Sequence, residues 1–219
     1  MNLNKPSRLP GRHEIDERLW DRFVHLLESK HSKEIRLHLW TLWQIAGECS
    51  TITEFGVKRA DSTTAFLAAG VDRLISVDLR REAIVDVLFE IRGETEFVFV
   101  GEDCRYVEIP MSDFLFIDST HTGQHLRVEL EKHADKVNRF LGFHDTVSAG
   151  SRGFFYRSKD KEKLERHGDG VSIGDRGWKI RGEGLMPVIH DFLDANNQWS
   201  VLIDDRRSNG LIILEKKAT

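Results

Sequence analysis

Between residues 50 and 143 the chain alternates short apolar runs with stretches of helical periodicity, and this alternation restricts its fold most tightly. The runs at 50–55 (STITEF), 74–77, 96–100 (EFVFV), 113–117 (DFLFI) and 139–143 (RFLGF) have strand length and are rich in β-branched and aromatic residues. The stretches at 63–69, 81–91 and 123–137 carry apolar residues at helical spacing. Strands apolar on both faces and separated by helices predict βαβ units, with a parallel sheet covered on both sides. Gly70 stands where the first of these helices needs a C-cap.

The flanks add smaller elements. Residues 1–13 are polar and read as an irregular arm, and helices are expected at 14–28 and about 32–46. In the second of these, Trp40 and Trp43 are expected to pack, with a dimer contact as the other use of that face. From 149 to 184 the periodicity breaks into a stretch rich in Gly, Arg, Lys and Asp, long for a simple connection and suited to a functional loop. Ser151–Arg157 interleaves aromatic and basic side chains there, and a loop packing its own aromatics is the expected role; Trp178 reads the same way. A helix at 187–195 and strands at 199–203 and 211–215 follow, the strands joined through Asn209-Gly210, a turn signal. The expected organisation is therefore an N-terminal arm and helices over 1–49, packed on an α/β domain over 50–219 with an insertion at about 149–184. The domain is Rossmann-like, doubly wound and mostly parallel, and it closes on a C-terminal antiparallel hairpin.

Charge and cysteine content exclude several classes. The 32 basic and 36 acidic residues leave a net charge of −4, which argues against nucleic acid as a partner. No apolar run approaches membrane-spanning length, and the first residues contain no apolar core of a secretory signal. Cys49 and Cys104 cannot build a disulfide framework or a cysteine-rich zinc site, so a reducing, cytoplasmic setting is expected.

Three elements fall, in order, at the ends of the first three strands. That edge is where open α/β sheets bind ligands. The first runs from Glu54 through Gly56 to Ser62 and Thr63, where a glycine permits a sharp turn and the following helix start offers free N–H groups. The second is Asp78, placed to accept hydrogen bonds from ribose hydroxyls. The third is Gly101-Glu102-Asp103-Cys104, where a carboxylate can accept from an adenine amino group and a backbone N–H can reach a ring nitrogen. Each of the three also has a plain structural role, as a turn or a helix cap. Nicotinamide dinucleotides favour a G-x-G-x-x-G turn, but here Lys58 and Asp61 occupy the second and third glycine positions, and an acidic residue is a poor neighbour for pyrophosphate.

The next two strands end in Asp118-Ser-Thr-His121 and His144-Asp145. The stretches TEFGVKRADSTTAFLAAG, ISVDLR, FVGEDC, FLFIDSTHTGQHLRVELE and FLGFHDT, over roughly residues 50–147, resemble class I methyltransferases of the macrocin-type sugar O-methyltransferase and cephalosporin-hydroxylase-like group. A more distant similarity is to catechol O-methyltransferases. Two positions depart from that pattern: Ala60 stands where glycine is common, and Ser119-Thr120 replace a Gly-Asp pair.

The resemblance implies S-adenosylmethionine as cofactor, whose sulfonium and amino group suffer no repulsion from Asp61, and often a divalent metal such as magnesium that orients an acceptor hydroxyl. The implied cofactor contacts are Glu54, Gly56, Ser62, Thr63, Asp78, Asp103, Cys104 and Asp118. Adjacent parallel strands bring Asp118, His121, His144 and Asp145 together, and Asp118 belongs to both groups. Asp118, His144 and Asp145 are the candidate metal ligands. Asp118, His121 and His144 are the candidate catalytic residues, an imidazole taking the acceptor proton if no metal does. The acceptor expected is a small molecule or saccharide. Two further classes stand beside this one: a nicotinamide-type oxidoreductase, and a non-catalytic binding module on the same fold. Self-association is left open.

Overall fold

The computed structural model describes residues 14–29, 35–154 and 181–217. Helices α1 (Glu17–Glu28) and α2 (Arg36–Ala46) precede the alternating part, β1 (Thr51–Phe55), α3 (Asp61–Ala68), β2 (Arg73–Val77), α4 (Ala83–Ile91), β3 (Glu96–Val100), β4 (Ser112–Ile117), α5 (Gly123–His133) and β5 (Val137–His144). Short strands β6 (Arg152–Phe154) and β7 (Arg181–Glu183) pair with each other, and α6 (Leu185–Ala195), β8 (Trp199–Asp205) and β9 (Leu211–Lys216) complete the chain. The main sheet has the order β3-β2-β1-β4-β5-β9-β8, parallel from β3 to β5, with β9 antiparallel to both neighbours.

Period-two burial explains the layers. In β4, Phe114 and Phe116 face the side covered by α1, α2, α3 and α4, while Leu115 and Ile117 face α5 and α6. In β9, Leu211 and Ile213 take the first side, and Ile212 and Leu214 the second. All eight are buried, which is why these strands read as continuous apolar runs. Trp43 packs near Trp20 and Phe23 and donates from Nε1 to the Ala68 carbonyl at 3.0 Å, whereas Trp40 stacks on Trp43 at the surface.

Helix boundaries shift from expectation: α3 begins at Asp61 and ends at Ala68 rather than spanning 63–69, α4 begins at Ala83 rather than 81, and three further shifts have a visible cause. α1 starts at Glu17, because the Asp16 side chain caps it by accepting from the Arg18 amide at 2.8 Å. α5 ends at His133 rather than 137: Ala134–Lys136 tighten into a 3-10 turn, and the buried Val137 opens β5 opposite Ser112. α6 starts two residues before Pro187, which sits in the first turn where its missing N–H is tolerated. The Leu185 and Met186 amides, which have no helical acceptor, donate to the carbonyls of Ala149 and Gly150. This contact and the β6–β7 pairing tie the two ends of the 149–184 stretch together. Residues 155–180, including Trp178 and the last three residues of Ser151–Arg157, lie outside the described residues, as do 1–13. Among the described residues no helix is long and apolar enough to cross a membrane.

Candidate active site

Register places the ends of the central strands in one row. Phe55 lies opposite both Val77 and Ile117, and the ladder continues one residue further, with Gly56 donating to Val77, Asp118 to Phe55 and Asp78 to Val100. A cleft of about 330 Å³ opens above that row. Gly56, Ser62, Asp78, Asp103, Cys104, Asp118, His121, His144 and Asp145 all line it.

Gly56 has φ +87°, and a Cβ there would stand 2.2 Å from the Asp118 carbonyl oxygen, so only glycine lets β1 turn over the end of β4. The turn continues through Lys58 and Ala60, both left-handed, into α3. Ala60 thus takes a conformation glycine would adopt without strain, and the turn forms all the same. Asp78 steadies it: one carboxylate oxygen accepts from the Val57 and Lys58 amides at 2.8 and 3.1 Å, the other from the Arg80 amide at 3.0 Å.

Glu54 and Thr63 do not reach the cleft wall. Glu54 is fully buried beneath the turn, its oxygens accepting from the hydroxyls of Ser62, Thr63 and Ser76, the last two at 2.7 Å. Burial pushes this carboxyl up to about 7, with the three hydroxyls working in the opposite direction. A direct cofactor contact from Glu54 or Thr63 is therefore not what this packing offers; they hold the helix start that forms the wall. Asp103 lines the cleft, but its oxygens are engaged by Arg105 at 2.8 and 3.1 Å, a pairing that outweighs burial and holds the carboxyl below its usual range.

At the other end of the row, four side chains converge. His121 Nε2 is 2.9 Å from Asp145 Oδ2 and 3.3 Å from Asp118 Oδ1. His144 Nδ1 is 3.2 Å from Asp118 Oδ1 and 3.5 Å from Asp145 Oδ2. Asp145 has φ +60°, a conformation Asp tolerates, and its carboxylate also accepts from Ser148 Oγ. The Asn209 carbonyl holds the backbone just beyond it by accepting from the Val147 and Ser148 amides. Thr122, not Asp118, caps α5.

Charge in this quartet is strongly coupled. Burial disfavours an imidazolium at His121, but its bonds to Asp118 and Asp145 outweigh that and lift it to about 10. His144 is lifted to about 10 against the same penalty by the charge of Asp118 and by its bonds to both carboxylates. Burial likewise disfavours the two carboxylates, and the imidazoles outweigh it, holding both below the usual range. With the quartet closed, the two carboxylates thus favour the protonated form of both rings, a setting that works against an imidazole as the proton acceptor.

Three neighbours were hidden in the sequence. His38 of α2 is buried, its ring 5.5 Å from that of His144, and it faces the Asp205 carboxylate at 3.4 Å and the Arg207 carbonyl at 3.1 Å. Burial and then the His144 charge lower it, so it stays neutral beside a charged ring. His125 and Glu129 lie one turn apart on the buried face of α5, and Ser119 Oγ donates to Glu129 at 2.6 Å. His38 and His125 stand among apolar residues at helical spacing, which masks them; the i, i+4 pairing of His125 with Glu129 was the available signal.

No family model and no curated protein matches this sequence. Solved structures do match. The O-methyltransferase TomG from Streptomyces achromogenes, solved with S-adenosylmethionine, is 14% identical with a TM-score of 0.57, covering 94% of this chain and 92% of its own. A protein from Staphylococcus aureus described as a caffeoyl-CoA O-methyltransferase is 13% identical, TM-score 0.56, covering 90% and 97%. The N-methyltransferase NodS from Bradyrhizobium japonicum, solved with S-adenosylhomocysteine, is 11% identical, TM-score 0.54, covering 92% and 100%. What this chain has in common with all three is the Rossmann-like methyltransferase fold, over nine-tenths of its length.

Proposed function

We propose that this chain is an S-adenosylmethionine-dependent methyltransferase acting on a hydroxyl of a small molecule or saccharide. The observation that carries the reading is the single row of strand ends, which joins the Gly56 turn and Asp78 at one side of the cleft to two carboxylates and two imidazoles at the other. The cofactor, when bound, supplies a methyl group on a sulfonium. This chain's residues then have two tasks: hold the acceptor oxygen in line with that methyl, and receive the hydroxyl proton. Asp118 and Asp145 are the groups that can accept a hydrogen bond from the acceptor, with His121 and His144 fixing their orientation and charge. The nicotinamide reading is not favoured, since Lys58 and Asp61 crowd the helix start a pyrophosphate would need.

A divalent metal fits the same corner, since ligand atoms of Asp118, His144 and Asp145 all lie within 4.8 Å of one another, with His121 alongside. The nitrogen content suits manganese, iron or zinc better than magnesium, which prefers an all-oxygen shell. Such an ion would polarise an acceptor hydroxyl. Protons and metal compete for the imidazoles, so metal uptake is expected to release protons and to weaken as pH falls.

The cofactor half is tested by calorimetry. S-adenosylhomocysteine is expected to bind and NAD not to. Asp78→Ala is expected to weaken S-adenosylhomocysteine by about 10- to 100-fold, each bond to an ionised acceptor being worth roughly 1.5–3 kcal/mol. Undiminished affinity in that variant would remove Asp78 from the site. Transfer of labelled methyl to a panel of hydroxylated acceptors tests the other half.

A further inference from the structure

A second polar cluster stands on the cleft wall, formed by the β3–β4 connection and the first turns of α5. Cys104 Sγ lies 3.2 Å from His125 Nε2, which lies 3.4 Å from Glu129 Oε1. Ligand atoms of Asp103, Cys104 and His125 all fall within 4.8 Å of one another. Cys104, His125 and Glu129 are each more than nine-tenths buried. Glu129 Oε1 accepts from Ser119, but Oε2 has no hydrogen-bond partner and no contact with solvent. A buried carboxylate with one oxygen unsatisfied is costly, and a bound cation is the group that removes that cost.

We propose that Cys104, His125 and Glu129 form a site for a thiophilic divalent cation of the zinc type, with Asp103 at its edge. The donor set decides the class: one sulfur, one imidazole nitrogen and a carboxylate match zinc, not magnesium or calcium. Three protein ligands leave a fourth position, and Cys104 and His125 line the cleft, so that position opens toward it. Burial, and then the charge of Glu129, push the Cys104 thiol up, so the thiol is protonated while no cation is bound. Loading forms a sulfur–metal bond, breaks the S–H bond and releases that proton to solvent. The site ties the 101–111 connection to α5, independently of any catalytic role for the cleft. It is distinct from the quartet, although Ser119 is the residue next to Asp118.

Two cysteines make the test clean. The reduced, metal-free full chain is titrated with cadmium, and the ultraviolet thiolate-to-cadmium band is followed. One equivalent is expected to give the band in the wild type, in Cys49→Ser and in Asp118→Asn, and none in Cys104→Ser. His125→Gln and Glu129→Gln are expected to weaken binding about tenfold or more. Zinc is expected to raise the melting temperature of Asp118→Asn, in which the quartet has lost a ligand, and not that of the same variant carrying Cys104→Ser as well. No band at one equivalent, a band that survives in Cys104→Ser, or one lost in Cys49→Ser or Asp118→Asn overturns the assignment. So does full affinity in both α5 variants. If Cys104→Ser does not fold, X-ray absorption at the zinc edge of loaded Asp118→Asn decides: one sulfur neighbour is expected, and a shell of nitrogen and oxygen alone overturns the site.

Discussion

Asp145→Asn is expected to lower methyl transfer by about a thousandfold, the scale on which proton acceptors and charge-stabilising groups act. Asparagine keeps the side-chain shape and tolerates the left-handed backbone at φ +60°, so the β5 end need not rearrange. What changes is charge. His121 loses its nearest carboxylate, at 2.9 Å, and His144 loses one of its two. One imidazole can answer by releasing a proton, so Asp118 and the remaining imidazolium balance, no uncompensated buried charge remains and the fold is expected to persist. Affinity for S-adenosylhomocysteine is expected to stay within about threefold, separating a defect in chemistry from one in cofactor binding. The same assay distinguishes the two forms of the centre. If a metal acts, a chelator abolishes wild-type turnover and manganese or zinc restores it, and the variant resembles the stripped wild type. If the quartet acts alone, the chelator changes nothing. Full turnover in Asp145→Asn sinks both forms.

The sheet was legible because its central strands are buried on both faces. A run such as DFLFI, bounded by polar residues and only of strand length, reads as a core strand, and the observed β4 covers it. EFVFV has a similar composition and matches β3 residue for residue, although at the sheet edge it is only half-buried. Helix ends were less legible, since they depend on tertiary partners: the Ala149 and Gly150 carbonyls that receive the first amides of α6 lie 36 residues upstream. The cluster of Asp118, His121, His144 and Asp145 could be read because each residue stands just after a strand, and neighbouring parallel strands end side by side. Its protonation could not be read. A sequence gives an imidazole its ordinary titration near neutrality, whereas the closed quartet places two carboxylates against each ring. Glu54 shows the opposite error. Its position at a strand end suggested a ligand contact, but the left-handed turn at Lys58 and Ala60 brings Ser62 and Thr63 back over it and seals it from the cleft.

That sealed carboxyl gives the largest stability effect expected. Glu54→Gln is expected to gain about 3 kcal/mol relative to the wild type as pH rises from 4.5 to above 7. In the unfolded chain Glu54 ionises near 4.5; in the folded chain burial holds it protonated up to about 7. The folded state therefore binds the proton more tightly. The stability this contributes is complete below the unfolded value, drains away as pH rises through the window, and is gone once both states are ionised. Above pH 7 the wild type carries a charge in a site with three hydroxyl donors and, among the described residues, no cationic side chain bonded to it. Glutamine has no charge to bury, and at low pH it replaces a neutral acid of the same shape. Its amide can donate where the protonated acid did, and the hydroxyls of Ser62, Thr63 and Ser76 can rotate to accept. The two proteins are thus expected to agree within about 1 kcal/mol near pH 4.5 and to diverge above it. Taking the difference between variant and wild type cancels the pH dependence of the quartet, which is common to both. Urea unfolding at four or five pH values measures it. A constant offset across the window would mean that Glu54 ionises alike in the folded and unfolded chains, and that the seal over it is open to water.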